Sequence, residues 1–320
     1  MTSPVPEVGA PRAPTGPILV TGAAGVMGIR FVRRLRRDGF SVRALTLPDD
    51  AGRAELERLG CEIAEGDIRD AQAMVKAVAG VDSVFHLAAV ILARDPEVLD
   101  SINRQGTANM VAAAGVAGVR HFVYVSSASV TYPRLTPYGR SKLAAERLVG
   151  EETRFAHTIV RPTLVYDATG GQEFMMFVQY LERFPVVPFM GAGSARKQPV
   201  FSEDVVDGLA RIAGNEIAFG KTYNLSGAEV ITLEAFARQV LKWRGTPRPF
   251  IHLPMPLCRL AARMLGAISE HPPLTPYQVA GFTHDADLDC SLAMTELGYR
   301  PVGIEEGLAR SFAGAPCAKA

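Results

Sequence analysis

The sequence predicts an α/β protein, a parallel sheet flanked by helices with a smaller, mostly C-terminal lobe added to it. Three observations predict this. From residue 18 to about residue 165, short β-branched runs alternate with longer amphipathic stretches, the order that produces parallel strands joined by helical crossovers. A glycine-rich turn, Thr21-Gly22-Ala23-Ala24-Gly25-Val26-Met27-Gly28, follows the first run directly and opens the first helix. After Arg161 the alternation loosens, proline and glycine rise through Phe184 to Pro199, and the last third turns helix-rich.

Ile18-Leu19-Val20 forms the first strand, and Val26 to Arg37 a helix closed by Asp38-Gly39, with the glycine as its cap. Ser41 to Thr46 is the second strand, Ala51 to Leu59 a helix, Glu62 to Ala64 a short strand, Ala71 to Ala79 a helix and Ser83 to Leu87 the fourth strand. Asp100 to Ala114 is expected as one long helix, His121 to Ser126 as the fifth strand, Tyr138 to Gly150 as a helix and His157 to Val160 as the sixth strand. The expected organisation is a loose arm over residues 1–17, a sheet domain over 18–165, a lobe over 166–312 with some segments returning to the sheet, and a frayed tail over 313–320.

Lys+Arg 34 against Asp+Glu 33 leaves a net charge of +1, which gives no field for a polyanion, so a small molecule is expected as partner and nucleic acid is not. The four cysteines are scattered and form no metal or disulfide spacing, which fits a reducing, cytoplasmic setting. The first seventeen residues lack the apolar core of an export signal, and no run of eighteen apolar residues occurs. Leu257, Leu260, Ala261, Met264, Leu265 and Ile268 recur at helical spacing, for core packing of the lobe, a lid, or contact with a membrane surface.

The turn at Thr21 to Gly28 has the context of a dinucleotide-binding Rossmann fingerprint. Gly22 permits the tight turn, Gly25 lets the backbone approach a pyrophosphate, and Gly28 allows close helix packing, while the helix N-terminus offers unpaired N–H groups. Ala24, Val26 and Met27 belong to the same cradle. The second strand ends Leu45-Thr46-Leu47-Pro48, without the carboxylate that would hold a ribose 2′-hydroxyl. Asp49 and Asp50 would repel a 2′-phosphate, whereas Arg30, Arg43 and Arg53 are candidates to attract one, so the cofactor is read as NAD(P) with a lean to NADP. Arg33, Arg34 and Arg37 are expected as a solvated helix face.

Tyr138-Gly-Arg-Ser-Lys142 sets a phenol and an ammonium four residues apart on one helix face. A tyrosine working as acid or base near neutrality needs its anion stabilised, and a neighbouring lysine does that. Val123-Tyr-Val-Ser126-Ser127 ends a strand just upstream, at the sheet edge where ligands of open α/β folds bind.

In this order TGAAGVMG, GDIRD, HLAAV, YVSSASV, YGRSK and RPTLVYD resemble the extended short-chain dehydrogenase/reductases, in their NAD-dependent epimerase/dehydratase group. The resemblance runs from about residue 18 to 312. It implies Tyr138 as acid/base, Lys142 as ribose ligand and electrostatic helper, and Ser127, with Ser126 as runner-up, as partner of the reacting oxygen. It further implies Asp67 and Ile68 at the adenine, Ala88 and Ala89 along the cofactor groove, Pro162, Thr163 and Leu164 beside the nicotinamide, and Thr46 and Leu87 in the same cofactor set. Asn103 matches a recurrent helix asparagine. Two departures stand out: only ten residues separate Ser127 from Tyr138, and Asp167 replaces the usual glycine after VY. Phe174 to Val206 is also similar to the nucleotide-binding accessory subunit of respiratory complex I.

The implied activity is Ser-Tyr-Lys hydride transfer, on a nucleotide sugar first, with two alternatives. One is a dehydrogenase/reductase of a lipophilic alcohol or ketone, similar to the 3β-hydroxysteroid dehydrogenases, and the other a cofactor-binding assembly protein without turnover. A homodimer is also compatible with the resemblance. His86 is expected as a satisfied core histidine and Arg161 as half of a structural ion pair, whereas Arg196 and Lys197 lie in a loop that is either solvated or able to grip a diphosphate.

Overall fold

A computed structural model describes residues 16–93, 95–168, 171–258, 260, 264 and 283–313. Its first half runs β1 (Ile18–Thr21), α1 (Val26–Arg37), β2 (Val42–Thr46), α2 (Arg53–Arg58), β3 (Glu62–Glu65), α3 (Ala71–Ala77), β4 (Ser83–His86), α4 (Pro96–Leu99), a π-helix (Asp100–Gly106), α5 (Thr107–Ala117), β5 (His121–Val125), α6 (Pro137–Glu151) and β6 (Ala156–Pro162). The second half adds β7 (Val165–Tyr166), α7 (Gln172–Arg183), β8 (Val187–Met190), β9 (Arg196–Lys197), β10 (Val200–Phe201), α8 (Ser202–Ile212), β11 (Lys221–Leu225), β12 (Ile231–Thr232), α9 (Leu233–Trp243), β13 (Phe250–Leu253), α10 (Ser291–Glu296) and α11 (Ile304–Phe312).

Seven strands form one sheet in the order β11-β6-β5-β4-β1-β2-β3, and every pairing is parallel. Chain order reverses at β1, which has β2 on one side and β4 on the other. Such a switch point opens a crevice beyond the carboxyl ends of the strands. Thr21, Thr46, His86 and Val125 stand at those ends.

Apolar side chains fix which helix covers which face. Phe31, Val32 and Leu35 of α1 pack with Val205, Val206 and Leu209 of α8 on one face of the sheet. Met74 of α3, Met110 and Ala114 of α5, and Ala145 and Val149 of α6 pack on the other. A third core, built on Tyr166, Phe174, Phe189 and Phe236, holds the lobe together.

Three expectations change. The long helix predicted from Asp100 is a short α-helix, a π-helical turn and then α5. Local side-chain bonds accompany the change: Thr107 Oγ1 donates to the Asn103 carbonyl at 2.6 Å, and the Asn103 side chain is turned to residues outside the helix. Arg33 and Arg37 are exposed as expected, but Arg34 is part-buried and bonds Asp207 at 2.8 Å, tying α1 to α8. In the apolar segment at 257–268, Leu257, Leu260 and Met264 are exposed rather than core, and its remaining residues lie largely outside the described ones. Among the described residues no helix is long and apolar enough to cross a membrane.

Candidate active site

The start of α6 is set by its cap. Thr136 Oγ1 accepts from the Gly139 amide at 3.0 Å and Pro137 occupies the first turn, so Tyr138 sits at the helix mouth with Lys142 one turn further on. Gly139 decides how close that mouth comes to the strand: a Cβ there would stand 2.8 Å from the Ser129 carbonyl oxygen. Without a side chain the helix reaches the turn after β5. There Ser127 accepts from the Ser129 amide at 3.1 Å and hydrogen-bonds the Tyr138 phenol. Ser127 and Tyr138 line one cavity, whereas Ser126 is buried, does not line it, and has an Oγ with no partner among the described residues.

Burial, reinforced by the nearby Glu173 carboxylate, pushes the Tyr138 phenol well above its ordinary value, and the Ser127 hydrogen bond acts against this. Lys142 is almost wholly buried; its Nζ donates to the Val125 carbonyl at 2.6 Å and lies 4.2 Å from the centre of the Tyr124 ring. Burial lowers its ammonium to about 7, with Glu146 pulling the other way. Glu146 in turn holds Arg161 in a two-bond ion pair at 2.9 and 2.7 Å, the structural pairing expected for that arginine.

A chain of hydrogen bonds runs behind the site. The Ala88 amide donates to Thr21 Oγ1 at 3.1 Å, Thr21 Oγ1 lies 2.8 Å from His86 Nδ1, and His86 Nε2 lies 3.0 Å from Thr107 Oγ1. Thr107 spends its only proton on the Asn103 carbonyl, so it must accept from His86. The ring therefore carries its hydrogen on Nε2 and accepts from Thr21. Burial and the Lys142 charge hold it neutral, with a pKa lowered to about 3, so His86 is a satisfied core histidine. Asn103 continues the chain, bonding both backbone groups of Val90 at 2.8 and 2.9 Å and Ser141 of α6 at 3.0 Å. The glycine-rich turn and the Tyr138 helix thus share one network.

That turn fits a dinucleotide. A Cβ on Gly28 would stand 2.1 Å from the Gly22 carbonyl, so only glycine lets α1 start this close to β1. Gly25 and Val26 are exposed at its tip, with Ala24 and Met27 half-buried beside them and Gly22 at φ 66°. Thr46, at the end of β2, has a buried hydroxyl without a partner among the described residues. Leu87 and Ala88 are bonded through their amides to Thr21, and Ala89 follows them along the crevice. Asp67 is paired with Arg69, Ile68 is buried against Gly106, Pro162 ends β6, and Thr163 and Leu164 line the cavity.

The arginines expected near a 2′-phosphate are mostly engaged elsewhere. Arg30 pairs with Asp167 and Ser202, so the departure at Asp167 ties α1 to the lobe. Arg43 donates to the Ala77 and Ala79 carbonyls at 2.8 and 2.6 Å, and Arg53 is paired with Glu57 and Glu65.

The cavity in front of Tyr138 holds about 270 Å³. Its described walls are mainly apolar, with Ile91, Leu92, Leu99, Met176, Phe177, Met190 and Leu233 beside Tyr132 and Tyr180. Glu173 and Lys197 are its charged residues among those described. Lys197 is buried, donates to the His284 carbonyl and is lowered to about 8 by burial, although Asp285, Glu173 and Asp287 oppose the shift. Arg196 does not line the cavity; it is exposed and paired with Asp287 at 2.6 Å. Glu173 and Tyr132 were missed in the sequence, although an acid at the head of the apolar stretch Phe174-Met-Met-Phe177 is a readable signal. Among the described residues no cluster of metal-ligating side chains occurs.

Comparison with known proteins finds relatives over most of the chain. The chain is 33% identical over 238 residues to a ceramide reductase of Caulobacter vibrioides, covering 74% of this chain and 70% of that protein. It is 29% identical over 325 residues to a 3β-hydroxysteroid dehydrogenase/Δ5→4-isomerase of Mycobacterium tuberculosis, covering 90% and 86%. Among solved structures, the dTDP-glucose 4,6-dehydratase DesIV of Streptomyces venezuelae, with NAD and TYD bound, superposes with a TM-score of 0.73 at 25% identity, over 92% of this chain and 95% of that one. With its family model matching residues 18–226, the chain belongs to the NAD dependent epimerase/dehydratase family.

Proposed function

We propose that the protein is a nicotinamide-dependent dehydrogenase/reductase acting on the carbinol or carbonyl carbon of a lipophilic compound. The apolar cavity in front of Ser127 and Tyr138 carries this assignment. A nucleotide sugar, the class first expected from the sequence, brings a diphosphate that needs basic donors. The described lining offers one ammonium, already bonded to a carbonyl, and a carboxylate that repels phosphate. The names of the ceramide reductase and the hydroxysteroid dehydrogenase point the same way. The assembly-protein alternative, and with it the likeness to the complex I subunit, has no use for a phenol and a serine converging on a substrate-sized space.

In this mechanism Tyr138 delivers a proton to the substrate oxygen during reduction and removes it during oxidation. Ser127 donates to the same oxygen and holds it against the phenol, and the apolar walls exclude water. The turn from Gly22 to Gly28, with Thr46, Asp67, Ile68, Ala88, Ala89 and Pro162 to Leu164, would hold the cofactor, and Lys142 its ribose. When bound, the nicotinamide supplies or accepts the hydride. Arg30, Arg43 and Arg53 are all committed to other partners, so none of the three supports the lean to NADP.

The test is oxidation of NADH and of NADPH by the purified protein with long-chain ketones, a steroid ketone and UDP- and dTDP-sugars as separate substrates. Ketone-dependent oxidation supports the assignment. Turnover of nucleotide sugars alone, or cofactor binding without any turnover, would overturn it.

A further inference from the structure

One face of α7 forms a wall of the cavity. Glu173, Met176, Phe177 and Tyr180 recur at i, i+3, i+4 and i+7, and all four line the space in front of Tyr138. Three of these positions carry apolar or aromatic bodies; the fourth carries a carboxylate. An acid in the first turn ordinarily serves the helix dipole, which it does equally well from the solvent side. Here it stands on the cavity side, accessible to solvent and lining the space in front of Tyr138, and makes no hydrogen bond or ion pair with any described residue. Burial raises its pKa, with Lys197 opposing. A carboxylate in apolar surroundings is unfavourable until a donor meets it.

We propose that Glu173 accepts a hydrogen bond from a second polar group of the substrate, a hydroxyl or amide N–H set apart from the reacting oxygen. Charge narrows the class. The Lys197 ammonium shares the cavity and disfavours a cationic group, while Glu173 itself repels a second carboxylate or a phosphate. A neutral donor satisfies both. The substrate is then a lipophilic carbonyl compound, or its alcohol, bearing one further hydroxyl or amide; this builds on the dehydrogenase assignment of the same cavity.

The experiment uses a series of straight-chain ketones with a hydroxyl at successive carbons, each paired with its methyl ether, which accepts hydrogen bonds but donates none. The readout is the ratio of kcat/KM for hydroxy ketone over ether within each protein, so changes in overall activity cancel. In the wild type the best-placed hydroxyl is expected to give a ratio of at least about tenfold, as for a hydrogen bond to a charged group. In Glu173→Leu the ratio falls to near one, and Glu173→Gln, which keeps an acceptor, lies between. A ratio near one in the wild type, or a preference that survives in Glu173→Leu, overturns the role of Glu173 while leaving the dehydrogenase assignment standing. Failure of the wild type to reduce any member of the series overturns the assignment on which the role rests.

Discussion

Replacing Lys142 by methionine is expected to stabilise the ligand-free protein while impairing it as an enzyme. The folded protein holds the Lys142 ammonium at about 7, against an ordinary 10.5. At pH 7 the unfolded chain keeps a full proton there and the folded chain about half of one. With ~1.4 kcal/mol per pKa unit, this costs the native state about 4 kcal/mol. Methionine removes that cost and fills a similar volume. It also strips the Val125 carbonyl of its donor, a loss of about 1–3 kcal/mol, so the net gain is on the order of 1–3 kcal/mol. Between pH 7 and 10.5 the unfolded state binds more protons than the folded state, so wild-type stability rises with pH across this window and the advantage of the variant shrinks. Urea denaturation of both proteins at pH 7, 8.5 and 10 measures this directly. A variant less stable than wild type at pH 7, or a difference that does not narrow with pH, would refute the reasoning. The same variant is expected to bind NADH more weakly and turn over more slowly; unchanged affinity would contradict the ribose role.

Tyr138→Phe is expected to retain cofactor binding, measured by calorimetry, while turnover falls by about a hundredfold or more, the scale of a lost general acid; full activity would remove Tyr138 from the chemistry. Gly139→Ala places a methyl 2.8 Å from the Ser129 carbonyl, forces α6 away from Ser127 and should lower kcat by about tenfold or more with cofactor affinity little changed, as steady-state kinetics would show. Acid should destabilise the fold through His86 and His121, both buried and lowered to about 3. Each stays neutral when folded and protonates when unfolded, so stability falls as pH drops below 6.5. By pH 4.5 the two together cost about 5 kcal/mol, read by urea denaturation at pH 7 and 4.5; a drop under about 1 kcal/mol would contradict the neutral assignment.

The parallel sheet was legible because each strand is a short apolar run bounded by turn residues, and β1 with its glycine turn carries geometry that few other sequences satisfy. The spacing of Tyr138 and Lys142 was equally plain, since a helix puts i and i+4 on one face whatever surrounds them. What the spacing does not contain is where each group then points. Lys142 Nζ turns to the Val125 carbonyl and the Tyr124 ring, both on the preceding strand β5, and the charge nearest in effect to the Tyr138 phenol is Glu173. The π-helical turn escaped notice for the same reason: Asn103 and Thr107 fit a helix by propensity, and only their partners Val90, Ser141 and His86 reveal the departure. Arg30 was misplaced because its partner Asp167 lies far along the chain.

This difference between local and long-range information separates what the family fixes from what it leaves free. In the proposed assignment the strand ends, the glycine turn and the first turn of α6 would set the proton and cofactor positions through short segments, each closed by its own cap or close approach. The cavity draws its walls from the loop after β4, the turn after β5, α6, α7, β8 and β9, so no single segment encodes its polarity. One substitution on α7 can change what the cavity accepts without touching Ser127, Tyr138 or Lys142. Glu173, carried by a helix outside the seven-stranded sheet, is such a position if it has the role proposed for it above.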